Sequence, residues 1–184
     1  MEHHVPPTVL RRIPNVLTTL RLLAVPVFAV LVLAADGETS PAAAAVFAFA
    51  ALTDFLDGEL SRRLHAQSRY GRVLDPIADR LLIDVAVVLL WFEGRVPLVL
   101  VAIVLLRDAI LLFSLLLGRG RDLGIRVNVV GKAGTLVTMI GLLLAMLTPR
   151  GSITTQIVLW SGVVLLLLGG LIYARTLRRL RARG

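Results

Sequence analysis

Six apolar runs divide this chain, each about as long as a lipid bilayer is thick. They cover residues 16–35, 41–61, 73–92, 96–117, 127–147 and 153–177. A helix needs roughly 20 apolar residues to cross hydrocarbon about 30 Å thick. Hydrocarbon offers the backbone no partners, so a spanning segment must close its own hydrogen bonds as a helix. The breaks are short, and Asp36-Gly-Glu, Glu93-Gly-Arg and Pro149-Arg-Gly read as turns. A hydrophobic share of 57% over 184 residues excludes an ordinary soluble domain. The predicted fold is an all-α integral membrane protein, six transmembrane helices in one bundle forming a single domain over 1–184. Residues 1–13 read as a leader in which 8–13 can lie along the membrane surface, and 175–184 as a basic tail.

Positive charge orients the bundle. Arg11 and Arg12 precede the first run, and Arg62, Arg63, Arg69 and Arg72 lie between the second and third. Arg119, Arg121 and Arg126 lie between the fourth and fifth, and further arginines follow the sixth; the opposite loops hold only Arg95 and Arg150. Cytoplasmic loops carry the excess of Lys and Arg, so both termini are expected in the cytoplasm and the chain in the plasma membrane. The net charge of +8 sits beside apolar runs, which points to anionic lipid rather than nucleic acid. With no cysteine there are no disulfides or thiolate metal sites, and His3, His4 and His65 are scattered. The first run has features of a secretory signal, but it is too long and Arg21 interrupts it, so a retained span is expected. No internal repeat or linker is visible.

Against this background stand Asp54, Asp57, Asp75 and Asp79. An ionisable group among membrane spans is costly and by default marks a site. Asp54 and Asp57 are three apart and Asp75 and Asp79 four apart, so each pair shares a helical face. Gly58, Ser61 and Arg62 extend the first face, and Gly71 begins the second stripe. Two such helices joined by a short turn bring four carboxylates together, and these repel unless neutralised. Two hard divalent cations, Mg²⁺ or Mn²⁺, suit an all-oxygen set. Glycines at 58 and 71 leave room for a flat or bulky group against the backbone. At 1.5 Å per residue, Asp54 and Asp79 lie roughly 10–12 Å inside the boundary marked by Arg62 and Arg72, where headgroups meet acyl chains. A polar contact between helices without catalysis is the plainer alternative.

The segment from Asp54 to Asp79 resembles the signature of the CDP-alcohol phosphotransferase family, D-x-x-D-G-x-x-A-R followed by G-x-x-x-D-x-x-x-D. Each position matches except Ser61, where the family usually has Ala. The resemblance implies transfer of phosphatidyl from CDP-diacylglycerol to an alcohol, with release of CMP. It implies that Asp54, Asp57, Asp75 and Asp79 hold two metals, and that Asp79 also takes the acceptor's proton. Arg62 is expected on the donor's phosphates, where a planar fork suits the oxygens, and Gly58, Ser61 and Gly71 beside the cytidine. Pro14-Asn-Val-Leu-Thr-Thr-Leu-Arg21 is similar to the phosphatidylglycerophosphate-synthase branch, where Asn15 and Thr18 would touch nucleotide; a helix cap and a back-bonded Thr are the alternative. A homodimer is implied as well.

Arg107, Arg126 and Lys132 are candidates for the acceptor pocket, with glycerol 3-phosphate as acceptor. Intramembrane cations demand partners, so Arg107 has a structural alternative, a pair with Asp84 or Asp108. Lys132 is close enough to its helix start to snorkel. Asp108, Gly134 and Thr138 depart from phosphatidylglycerophosphate synthases towards cardiolipin synthases, which use phosphatidylglycerol. A small ion-coupled transporter is the reading from another class, but such proteins show repeats and broken helices.

Overall fold

The computed structural model describes residues 13–35, 39–64, 71–116 and 129–181. Side chains are described in these ranges except at 13–18, 54–64, 71–79, 114–116, 174 and 176–181, where the helix course alone is given. Among the described residues there are six helices and no strand: α1 Ile13–Leu33, α2 Pro41–Leu64, α3 Gly71–Phe92, α4 Leu98–Leu116, α5 Val129–Leu147 and α6 Ile153–Arg181. Their bounds agree with the six apolar runs to within four residues. The surface stretch expected at 8–13, apart from Ile13, and the turn at 36–38 lie outside the described residues.

The helix ends explain which loops meet. α3 stops at a Schellman turn: Gly94 N–H donates to Trp91 O at 2.8 Å and Arg95 N–H to Leu90 O at 2.8 Å. Gly94 takes φ +68°, the left-handed conformation this cap requires and a side chain disfavours. α5 ends differently. Pro149 has no N–H to give Ala145 O four residues back, and Arg95 fills that vacancy, donating from Nη1 to Ala145 O at 3.1 Å and to Thr148 O at 3.2 Å. Ser40 N–H takes Met146 O at 2.7 Å, and Gln156 Nε2 donates to Arg95 O at 3.2 Å. Thr148 and Thr155 hydroxyls pair at 2.8 Å. The starts of α2, α4 and α6 therefore gather at one end with the ends of α3 and α5. The end of α2 with the start of α3, and the end of α4 with the start of α5, lie at the other end.

Between the ends the core is apolar. Phe28 and Phe47 meet with ring centroids 5.8 Å apart, and Leu90, Leu100, Leu142, Met146 and Leu159 are fully buried around them. α5 and α6 pack most closely: a Cβ on Gly162 would stand 2.5 Å from Thr138 Oγ1 and 2.8 Å from its backbone N. Only hydrogen fits there. Thr138 turns its hydroxyl back to Gly134 O at 2.8 Å, leaving no buried donor open.

The exterior is apolar on every helix: Val30, Phe49, Phe92, Leu106, Phe113, Leu136 and Ile157 are all exposed. So much contiguous apolar surface suits lipid rather than water. By length and composition, Val129–Leu147 and Ile153–Tyr173 are apolar enough to cross a bilayer, and Thr19–Leu33 and Pro41–Thr53 are apolar over shorter described stretches.

Candidate active site

The signature falls on two helix ends at the same end of the bundle. Asp54, Asp57, Gly58, Ser61 and Arg62 lie in the last eleven residues of α2, whose helix runs to Leu64. Gly71 opens α3, and Asp75 and Asp79 follow within its first nine residues. The helical backbone keeps the spacings of three and four that give each aspartate pair one face. α1 packs against both α2 and α3, so Asn15 and Thr18, in the first turns of α1, belong to a helix flanking both halves of the signature. The side chains of all these residues, and Arg126, lie outside the described ones. Among the described residues, no three His, Cys, Asp or Glu side chains group closely enough to hold a metal.

Immediately beyond the signature is a layer of charge centred on one buried carboxylate. Arg80, the residue after Asp79, forms an ion pair with Asp108 Oδ1 on α4. The same oxygen accepts from Arg107 Nη1 at 2.8 Å, and Arg107 Nη2 donates to Thr135 Oγ1 on α5 at 3.0 Å. Thr135 in turn donates to Gly131 O at 3.1 Å. Asp108 is only 3% exposed, against 29% for Arg80 and 22% for Arg107. One carboxylate thus ties α3, α4 and α5 together through two guanidiniums and a hydroxyl.

The layer is unevenly satisfied. Asp108 Oδ2 and Asp84 Oδ1 are buried without a hydrogen-bond partner among the described residues. Asp84 adjoins Asp108, but two carboxylates cannot satisfy each other without a proton between them. Arg107 has five N–H donors, and two of them, one on each Nη, are engaged by Asp108 and Thr135. The side chain keeps 22% of its surface exposed. Lys132 is exposed, one turn before Thr135 on α5.

Of the acceptor candidates, Arg107 is therefore held by Asp108, one of the two structural partners its sequence position allowed, and Asp84 is not its hydrogen-bond partner. Sequence reasoning missed Arg80 and Thr135. The signal for Arg80 was present: an arginine inside an apolar run, one residue past Asp79, needs its own counter-charge. Thr135 gave no comparable signal, because a hydroxyl in a membrane helix is routinely satisfied by its own backbone.

Comparison with known proteins bears on this geometry. Residues 11–168 match the family model for CDP-alcohol phosphatidyltransferases, a stretch holding both halves of the signature and the charge layer. The chain belongs to that family. It is accordingly a phosphatidyltransferase of phospholipid biosynthesis, and its family is one of membrane enzymes that generally depend on a divalent metal. A CDP-diacylglycerol–glycerol-3-phosphate 3-phosphatidyltransferase of Pseudomonas fluorescens is 39% identical over 176 residues, covering 92% of this chain and 89% of that one. A protein of the same name from Rickettsia felis is 26% identical over 179 residues, 92% of this chain and 97% of its own. A CMP-forming cardiolipin synthase of Streptomyces coelicolor is 41% identical over 127 residues, 67% of this chain and 59% of its own.

Proposed function

We propose that this chain moves the phosphatidyl group of CDP-diacylglycerol to a hydroxyl of glycerol 3-phosphate, giving phosphatidylglycerophosphate and CMP. The observation carrying this reading is the similarity, along 92% of the chain, to the Pseudomonas protein named for that reaction. The acceptor oxygen bonds to the phosphatidyl phosphorus, and the bond from that phosphorus to the bridging oxygen of CMP breaks. CMP leaves with the bridging oxygen, and the hydroxyl proton passes to Asp79, the positioned base.

The other acids follow from their chemistry. Asp54, Asp57, Asp75 and Asp79 are four oxygen donors, the set that hard divalent cations prefer, and would hold two ions of Mg²⁺ or Mn²⁺. Bound there, such ions polarise the diphosphate and offset the charge that builds on its oxygens. Arg62 pairs with the donor's phosphates, while Gly58, Ser61 and Gly71 make room for cytidine beside Asn15 and Thr18. Arg107, Arg126 and Lys132 receive the acceptor's phosphate. Transfer to phosphatidylglycerol, giving cardiolipin, is the second reading, favoured by the Streptomyces relative.

In this reading all six helices span the plasma membrane, the signature end faces the cytoplasm with both termini, and the protein works as a homodimer. Support comes from the arginine bias, since the gathered loops at the opposite end carry only Arg95 and Arg150.

Purified protein given labelled CDP-diacylglycerol should release CMP only with Mg²⁺ or Mn²⁺ and an acceptor present. Asp79→Asn should lower the rate by about 10²–10⁴-fold, the usual worth of a positioned base. Full CMP release in that variant removes the assignment, and phosphatidylglycerol outcompeting glycerol 3-phosphate selects the second reading. The chain has no cysteine, so Ser152→Cys and Ser68→Cys report topology cleanly. An impermeant maleimide should label the first in intact cells and the second only after permeabilisation; the reverse pattern inverts the orientation.

A further inference from the structure

We infer that Asp108 is a positioning residue, whose buried carboxylate presents Arg107 to a phosphate-bearing acceptor. The inference rests on the phosphatidyl-transfer reading and adds a residue that signature and acceptor candidates both leave out.

Three observations carry it. First, both guanidiniums converge on Oδ1 while Oδ2 has no partner among the described residues. A carboxylate serving stability alone gains most when both oxygens are bonded, and well-packed apolar residues would often serve as well as a buried ion pair. Second, Arg107 is fixed at two points, Asp108 and Thr135, on different helices. That fixes the guanidinium before a ligand arrives, which lowers the entropy lost on binding. Three of its five N–H groups are not used by these two partners, and charge-assisted hydrogen bonds from a guanidinium suit a phosphate. Third, the layer sits at the depth of the signature: Arg80 is nine residues into α3, Asp108 eight from the end of α4 and Thr135 six into α5. At 1.5 Å per residue these are about 9–14 Å from the helix ends. Arg80 adjoins Asp79 in the chain, so the Asp108 anchor also links the acceptor arginine to the helix bearing the base.

Two kinds of molecule carry such a phosphate, the monoester glycerol 3-phosphate and the diester phosphatidylglycerol, and separate assays with each distinguish them. Steady-state rates of CMP release are measured with donor and acceptor varied in turn. Asp108→Asn should raise the acceptor KM by about tenfold or more while donor KM and kcat change by less than about threefold, because a binding contact is lost and the chemistry is not. Asp108→Glu, which keeps the charge, should recover most of the loss. Thr135→Val removes one hydroxyl, keeps both ion pairs, and should raise acceptor KM about threefold, in line with one hydrogen bond.

A rise confined to one acceptor names the source of the phosphate. Should Asp108→Asn fail to fold, Thr135→Val decides: an unchanged acceptor KM overturns the inference. So does a variant whose kcat falls while acceptor KM stays fixed, or a Glu variant no better than Asn. A wild-type protein that releases no CMP with either acceptor refutes the underlying reading, and this inference with it; an active wild type with insensitive variants refutes this inference alone.

Discussion

Arg95 and Arg107 make opposite uses of the same side chain. Arg95, 5% exposed at the gathered-loop end, directs donors to Ala145 O and Thr148 O, carbonyls that the end of α5 leaves without intrahelical partners. Its own carbonyl accepts from Gln156. Both of these guanidinium hydrogen bonds go to backbone carbonyls, and the result is a closed end. Arg107, in the middle of α4, is held instead by a side-chain carboxylate and a hydroxyl. Its anchor retains an oxygen without a partner among the described residues, and the Arg107 side chain stays partly exposed. Arginine bound to backbone carbonyls fixes a fold, while arginine bound to side chains with donors to spare is equipped to meet a ligand.

The sharpest way to break this contrast is Arg95→Leu. Leucine fills much of the space but offers no donor, leaving buried Ala145 O and half-buried Thr148 O without this partner. A buried acceptor left unsatisfied costs about 1–3 kcal/mol, so the variant should lose about 2–4 kcal/mol, read as a lower Tm in detergent. Acceptor KM in the surviving folded fraction should not move. Asp108→Asn should show the reverse ordering, with its main effect on acceptor KM. If Arg95→Leu raised acceptor KM with Tm preserved, the division between a structural and a ligand-facing arginine would be wrong.

The unequal legibility of these regions has a physical origin. Apolar length is a strong and local property, which is why six runs became six helices with nearly the same bounds. The turns at Glu93-Gly-Arg and Pro149-Arg-Gly were equally readable, since Gly94 and Gly151 adopt positive φ, a conformation glycine alone enters freely. The signature was legible as a pattern, because spacings of three and four on a helix are local too. Non-local pairing was less accessible. Asp108 was one of two partners weighed for Arg107, but nothing in the order of residues distinguishes Asp84, on α3, from Asp108 beside it. The capping of α5 by Arg95 joins residues fifty apart. Pro149 announced an unpaired carbonyl at Ala145, but the donor that answers it is set by packing.

Arg150→Ala is the smallest expected effect and tests the same contrast from its weak side. Arg150 Nη2 lies 3.0 Å from Glu93 Oε2, a good distance at the same closed end as Arg95. Here, however, the side chains are 52% and 23% exposed. Water screens such a pair, and holding two long side chains in one geometry opposes the attraction, so exposed pairs contribute about 0.2–1 kcal/mol. For a chain of this size that is a Tm shift of about 1–3 °C. The difference between wild type and variant should shrink further in about 1 M salt, where the screening length falls to about 3 Å. Comparable losses from Arg150→Ala and Arg95→Leu would mean that desolvated backbone acceptors are not what makes Arg95 important. Charge at this end would then matter by its presence rather than by what it touches.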